Sequence, residues 1–214
     1  MDRNEDRRQP TRLCLFAPPA AEAGAEEALD AAMAAGDVAC VVIDAAGAQK
    51  ERVVALVKLA QARGAAALLR SDTPLAGRVG ADGVHLDWKA DDVAAALKSY
   101  KPDGIVGVGR IASRDDAMEA GESGVDYVAF GDPGADGGGP PATSTSDRAG
   151  WWAGTFVVPC VAFAADAEQA EALARLGVEF VARGASLFAD PRGPAAATAQ
   201  TLEALARAAA TVAP

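Results

Sequence analysis

Gly80-Ala81-Asp82-Gly83-Val84-His85-Leu86-Asp87 is the stretch that decides the fold, because its order of glycine, small residue, acid and apolar run returns along the chain. Gly124-Val125-Asp126-Tyr127-Val128-Ala129-Phe130 repeats it, as does Gly177-Val178-Glu179-Phe180-Val181-Ala182-Arg183. Gly36-Asp37-Val38 and Gly64-Ala65-Ala66 are looser copies. Each leading glycine follows an alanine- or leucine-rich helical pattern, where it takes the left-handed conformation that ends a helix and that other residues reach only at a cost. A strand then follows at once, so the chain is built by repeating a helix, turn and strand.

Outward from that unit the pattern continues in both directions. Residues 12–17 form an apolar run stopped by Pro18-Pro19, and residues 38–43 form a β-branched run of the kind expected in a parallel strand covered on both faces. Further strands are predicted at 66–69, 84–86, 104–109, 127–130, 159–163 and 180–183. Helices are predicted at 22–35, 49–63, 73–79, 91–100, 113–122, 166–176 and 194–210, with a poorly helical interval before the seventh strand. Alternation of this kind predicts the α/β class and a parallel, eight-stranded (β/α)8 TIM barrel over residues 11–214 as one domain. A doubly wound open sheet alternates in the same way, but it carries a glycine-rich phosphate turn after its first strand, where this chain has Ala17-Pro18-Pro19.

Composition narrows the function classes. A net charge of −10 and a pI near 4.6 disfavour nucleic acid and anionic membrane surfaces as partners. Residues 1–10 read as a loose polar tail without the apolar segment of a leader, and no stretch reaches the roughly 20 apolar residues of a membrane span. Cys14, Cys40 and Cys160 sit in apolar runs without metal-type spacing, which reads as small buried hydrophobes in a reducing cytoplasm rather than ligands or disulfides.

In such a barrel the chemistry collects at the C-terminal ends of the strands. That rule selects Asp44, then Arg70, Ser71 and Asp72, then Asp87, Trp88 and Lys89, then Arg110, Asp132, Asp166, and finally Arg183, Gly184 and Ser186. Four cations among these carboxylates suit a phosphate held directly or through Mg²⁺, although rim residues of any barrel are polar and pair with one another. His85 is the only histidine, and its place inside a strand points to a structural, hydrogen-bonded role. Trp88 is placed to stack on an aromatic ligand or to shield the mouth. Trp151-Trp152 are placed to pack the sixth helix or to form the contact of a homodimer. The run 131–150, rich in Gly, Pro, Ser and Thr, reads as a long loop, either a lid or a disordered stretch.

Asp72 and Gly80-Ala81-Asp82-Gly83-Val84-His85-Leu86, followed by Ile105-Val106-Gly107-Val108, Asp126-Tyr127-Val128-Ala129-Phe130-Gly131 and Val158-Pro159-Cys160-Val161-Ala162, resemble the thiamine phosphate synthase family and its thiazole tautomerase branch over roughly residues 11–190. The resemblance implies a (β/α)8 barrel that joins a pyrimidine pyrophosphate to a thiazole phosphate, with Mg²⁺ on the departing pyrophosphate and basic side chains around both anions. It implies a small phosphorylated heterocyclic ligand as partner and Asp72 as a Mg²⁺ ligand.

Several of the family's positions differ here. Val41-Val42-Ile43-Asp44-Ala45 offers no cation where the family has Gln-x-Arg-x-Lys. The second acidic ligand falls near Ala90, with Asp87 and Asp91 out of register. Strand five ends in Gly109-Arg110-Ile111-Ala112, where synthases place a Ser and tautomerases a His, so neither signature is present. The run 132–141 lacks the Thr-x-Thr-Lys segment, and Ala164-Ala165 replaces paired glycines. Arg110, Arg183, Gly184, Ser186, Lys89 and Trp88 are therefore the residues left to meet the ligand. Two readings follow: a divergent synthase-like transferase, or a barrel that has kept the fold and a ligand pocket but not the synthase step.

Overall fold

The computed structural model describes residues 9–133 and 142–212. The expected tail falls almost wholly outside these residues, and so does the centre of the expected 131–150 loop. The strands are β1 (Arg12–Phe16), β2 (Cys40–Ile43), β3 (Ala66–Arg70), β4 (Gly83–Asp87), β5 (Ile105–Gly109), β6 (Tyr127–Phe130), β7 (Cys160–Phe163) and β8 (Phe180–Arg183). All pair in parallel with their sequence neighbours, and β8 pairs back onto β1, which closes the barrel and excludes the open sheet.

The helices are α1 (Ala25–Met33), α2 (Lys50–Ala62), α3 (Thr73–Val79), α4 (Ala90–Tyr100), α5 (Arg114–Glu122), α6 (Ala142–Thr155), α7 (Ala167–Arg175), α8 (Ala185–Phe188) and α9 (Pro194–Val212). Two depart from expectation. Much of the run read as loop is helix α6, because Trp152 is fully buried against the sheet and stacks on Phe156, and tertiary burial of that kind outweighs the poor helix propensity of its Thr and Ser residues. Helix α8 is a single short turn that periodicity is too brief to reveal.

The repeating acid has a structural task. Asp82 accepts the backbone N–H of Ala67, Asp126 that of Val106 and Glu179 that of Cys160, each from the strand next door. Each acid thus pins the start of its own strand to its neighbour and sets the register of the sheet. Side chains alternate across each strand. Those facing outward, among them Leu13, Leu69, Val84, Val106 and Val181, pack against the helices as the main apolar layer. Those facing inward, including Cys14, Val42, Leu68, Tyr127, Val161, Phe163 and Ala182, fill the barrel.

Candidate functional site

One chain of polar side chains climbs the barrel interior from its middle to the C-terminal mouth. Arg70, His85, Gly107 and Tyr127 are partners in register on β3 to β6 and so point the same way, inward. Gly107 leaves the axis open for the Tyr127 ring: a Cβ there would lie 1.9 Å from Tyr127 Cζ. Gly109, two residues on, leaves room for His85 and Asp132, whose Nε2 and Oδ2 would stand 2.7 and 2.8 Å from an added Cβ. Successive inward glycines on β5 thus mark where neighbouring strands send bulk across the barrel.

Tyr127 Oη lies 2.9 Å from His85 Nδ1, and His85 Nε2 lies 3.1 Å from Asp132 Oδ2. A carboxylate only accepts, so in a neutral ring Nε2–H donates to Asp132 and Nδ1 accepts the Tyr127 hydroxyl. Burial holds the Tyr127 phenol well above its ordinary range, which keeps it a neutral donor. Asp132, its side chain wholly buried, also receives Arg70 at 3.3 Å on both oxygens. Arg70 reaches Asp87 at 3.8 Å, and Asp87 is 3.6 Å from Arg110. The Arg70 guanidinium stands 6.0 Å above the Phe16 ring, which meets His85 edge-on at 5.1 Å and Phe163 at 4.5 Å. At the mouth, then, a floor of Phe16 and Phe163 lies beside two arginines and two aspartates that already neutralise one another. Ser71 and Arg110, at the ends of β3 and β5, both hold a φ of 53°, a left-handed backbone that non-glycine residues adopt only under constraint.

The other expected residues are placed as follows. Asp72 caps α3, its Oδ1 accepting the Leu75 N–H at 2.9 Å. Among the described residues no group of three or more acidic, histidine or cysteine side chains could cage a metal. Mg²⁺ is usually held by one or two carboxylates together with substrate phosphates, so the second oxygen of Asp72, Oδ2, fits that mode and not a closed protein site. Lys89 is exposed and paired with Asp92 at 3.2 Å. Trp88 is half-buried against the apolar layer between sheet and helices. Gly184 opens α8, against Phe16, and Ser186 donates to the Ala165 carbonyl at 2.7 Å, tying the loop after β8 to the loop after β7. Arg183 does not join the mouth. It points outward, buried against α9, with Nη1 on Thr201 Oγ1 at 2.8 Å and Nε without a hydrogen-bond partner among the described residues, and burial lowers its pKa. Sequence reasoning placed Arg70 and Asp132 at the rim; it did not foresee that Phe16 and Phe163 floor the mouth, or that Arg70 is tied to a chain of His85, Tyr127 and Asp132. The paired glycines of β5 are the signal that could have drawn attention to the last three.

A model of the family described as thiamine monophosphate synthase matches residues 13–187. The chain belongs to the thiamine monophosphate synthase family. Among family relatives it is similar to a thiamine-phosphate synthase of Rhodospirillum centenum, 40% identical over 195 residues that cover 88% of this chain and 94% of the relative. A thiamine-phosphate synthase of Hyphomonas neptunium is 34% identical, with 87% and 90% covered. The thiamine phosphate pyrophosphorylase of Pyrococcus furiosus superposes with a TM-score of 0.74 at 18% identity, covering 92% of this chain and 96% of that one, a likeness of fold. The family's barrel is therefore present here along its whole length, with the polar chain under its mouth.

Proposed function

We propose that the mouth binds a small heterocyclic monophosphate of the kind the family handles, with the ring over Phe16 and Phe163 and the phosphate over the loops after β7 and β8, and that the step on the pyrimidine pyrophosphate has been lost. The observation that carries this reading is that the deepest cation of the mouth, Arg70, is committed to the buried carboxylate of Asp132, which leaves only Arg110 and Lys89, in weak exposed pairs, to meet an anion. The family's pyrophosphate clamp would need free cations, and the run 132–141 supplies none. A monophosphate asks for less: loops after strands seven and eight, with the opening N–H groups of a short extra helix, recur as phosphate sites in barrels, and Gly184-Ala185-Ser186 stands in that position. Losing two or more charged anchors at about 1.5–3 kcal/mol each is hard for a transferase to offset.

The 40% identity to a relative named as a synthase favours the second reading, in which Asp72 and Mg²⁺ still hold a pyrophosphate and the transfer survives. Bound there, the ion would supply the positive charge that the side chains lack. Purified protein incubated with both substrates and Mg²⁺ separates the two. Asp72→Asn is the control, since asparagine keeps the helix cap while removing the charge. A rise in melting temperature with thiazole phosphate and no product supports the binding reading. Turnover above that control establishes the synthase instead.

A further inference from the structure

The end of the barrel opposite the mouth holds a feature that the ligand chemistry leaves unused. Cys14 on β1 and Cys40 on β2 are direct partners in the parallel ladder, and both face the interior. Their Sγ atoms are 2.7 Å apart. Neighbouring strands lie about 4.7–4.9 Å apart, inside the Cα separation of roughly 4.4–6.8 Å that a disulfide spans, so the spacing of the sheet admits a bond. Cys14 is buried and Cys40 partly exposed, and both line a cavity of ≈ 290 Å³ at the strand starts, together with Leu68, Tyr127, Phe180, Arg12 and Asp126. Cys160 faces the helices instead and lies outside this cavity.

We propose that Cys14 and Cys40 are a reversible dithiol pair, oxidised to an intrachain disulfide by hydrogen peroxide that enters through this cavity. The cavity favours such an oxidant: it is small and mainly apolar, which suits a small neutral peroxide better than a bulky, anionic disulfide such as an oxidised thiol tripeptide. In the first step the Cys40 sulfur, giving up its proton, attacks one peroxide oxygen. The O–O bond breaks, one water leaves, and Cys40 becomes a sulfenic acid. In the second step the Cys14 sulfur attacks the Cys40 sulfur, its own proton leaves with the displaced oxygen as a second water, and the S–S bond closes. Two thiols thus lose two electrons and two protons, and the peroxide is reduced to two waters. Contact with Cys40, and then burial, pushes the Cys14 thiol well above its ordinary range, which disfavours it as the first attacker and leaves that step to the more exposed Cys40. In a reducing compartment a pair of this kind rests as the dithiol and registers oxidant transiently.

The sequence makes the test direct. No Lys or Arg lies between Arg12 and Lys50, so one tryptic peptide, 13–50, carries both residues, while Cys160 falls in peptide 149–175. The full chain, reduced and then treated with hydrogen peroxide, is alkylated under denaturing conditions and digested. The expected result is peptide 13–50 lighter by two hydrogens and unalkylated, peptide 149–175 still alkylated, and full reversal by dithiothreitol. A Cys160→Ser variant should behave identically. In a Cys14→Ser variant, Cys40 should stop at the sulfenic acid and be trapped by dimedone. Alkylation of both sites in peptide 13–50 after peroxide, over-oxidation of either to sulfinic acid before any bridge forms, or a bridge between chains instead of within one would each overturn the proposal.

Discussion

Replacing Asp132 with alanine tests whether the buried polar chain holds the mouth together. Its carboxylate is wholly buried and serves two donors, His85 Nε2 at 3.1 Å and Arg70 at 3.3 Å. Removing one partner of a buried charged pair costs about 3–5 kcal/mol when the other is stranded. Arg70 is not fully stranded: its side chain is 19% exposed and Asp87 remains at 3.8 Å. His85 has no such alternative, and an unpaired buried donor costs about 1–3 kcal/mol. Together these give a loss of about 3 kcal/mol, which for a domain of this size, at about 2–4 °C per kcal/mol, lowers Tm by roughly 6–12 °C. Asp132→Asn keeps an oxygen for Nε2–H and loses only the charge facing Arg70, so it should fall between wild type and alanine. Thermal melts, with urea unfolding at an unchanged m-value to exclude a change in the denatured state, read the difference. Because His85 is the only histidine, its ring NMR signals report its environment without assignment. An alanine variant within about 2 °C of wild type, with those signals unmoved, would refute the coupling of Asp132 to His85 and Arg70.

Three further outcomes follow from the interior and its flank. Gly107→Ala drives a Cβ into the Tyr127 ring and should cost about 3 kcal/mol or more, yet little in a Tyr127→Ala background; equal costs in both backgrounds, measured as a double-mutant cycle, would show that the ring is not the obstacle. Tyr100 and Tyr127 are the chain's two tyrosines, and burial raises both above the ordinary 10.0. The folded state therefore keeps protons that the unfolded chain has lost, and the corresponding stability is whole below pH 10 and declines as pH rises beyond it. Tyrosinate absorbance should appear late and, for Tyr127, together with the loss of circular dichroism; full ionisation of both rings in the folded protein contradicts this. Arg183→Met should leave stability unchanged or higher, because Arg183 is buried with one hydroxyl partner and an Nε unpaired among the described residues, and ligand affinity should not change; a loss of phosphate-ligand binding would return Arg183 to the site.

The barrel is legible in the sequence because its repeating unit is written three times with the same physical parts. A glycine with positive φ ends the helix at Gly80, Gly124 and Gly177, and an acid two residues on pins the next strand. The mouth is less legible. Asp132 and His85 are 47 residues apart, and only closure of the barrel brings them together. Arg183 shows what a count along the strand adds. It reads as a cation at the end of β8, but Ala182 faces the interior, so alternation turns Arg183 to the helices. The pairing of Cys14 with Cys40 was hidden for a related reason: register between strands joined by a helix depends on where each strand begins, which apolar runs fix only to within a residue or two.

The cations at the mouth differ in how easily a ligand could claim them, and that difference predicts which one binds. Arg70 leans on a carboxylate that is wholly buried, so releasing it would leave Asp132 charged and without its main partner. Arg110 and Lys89 pair with half-exposed or exposed acids, at 3.6 and 3.2 Å, and such pairs are worth about 0–1 kcal/mol. A phosphate over the loops after β7 and β8 can therefore draw the Arg110 side chain across the mouth from Asp87 at little cost. Arg110→Ala should weaken binding of thiazole phosphate about tenfold, the loss of one charge-assisted bond, with Tm in the absence of ligand unchanged. Arg70→Ala should instead lower Tm as Asp132→Ala does, and weaken binding only in proportion to that damage. Calorimetric titration of both variants decides it: if Arg110→Ala binds as wild type while a correctly folded Arg70→Ala does not bind, the releasable cation has been misassigned and the phosphate lies above Arg70 rather than towards the rim.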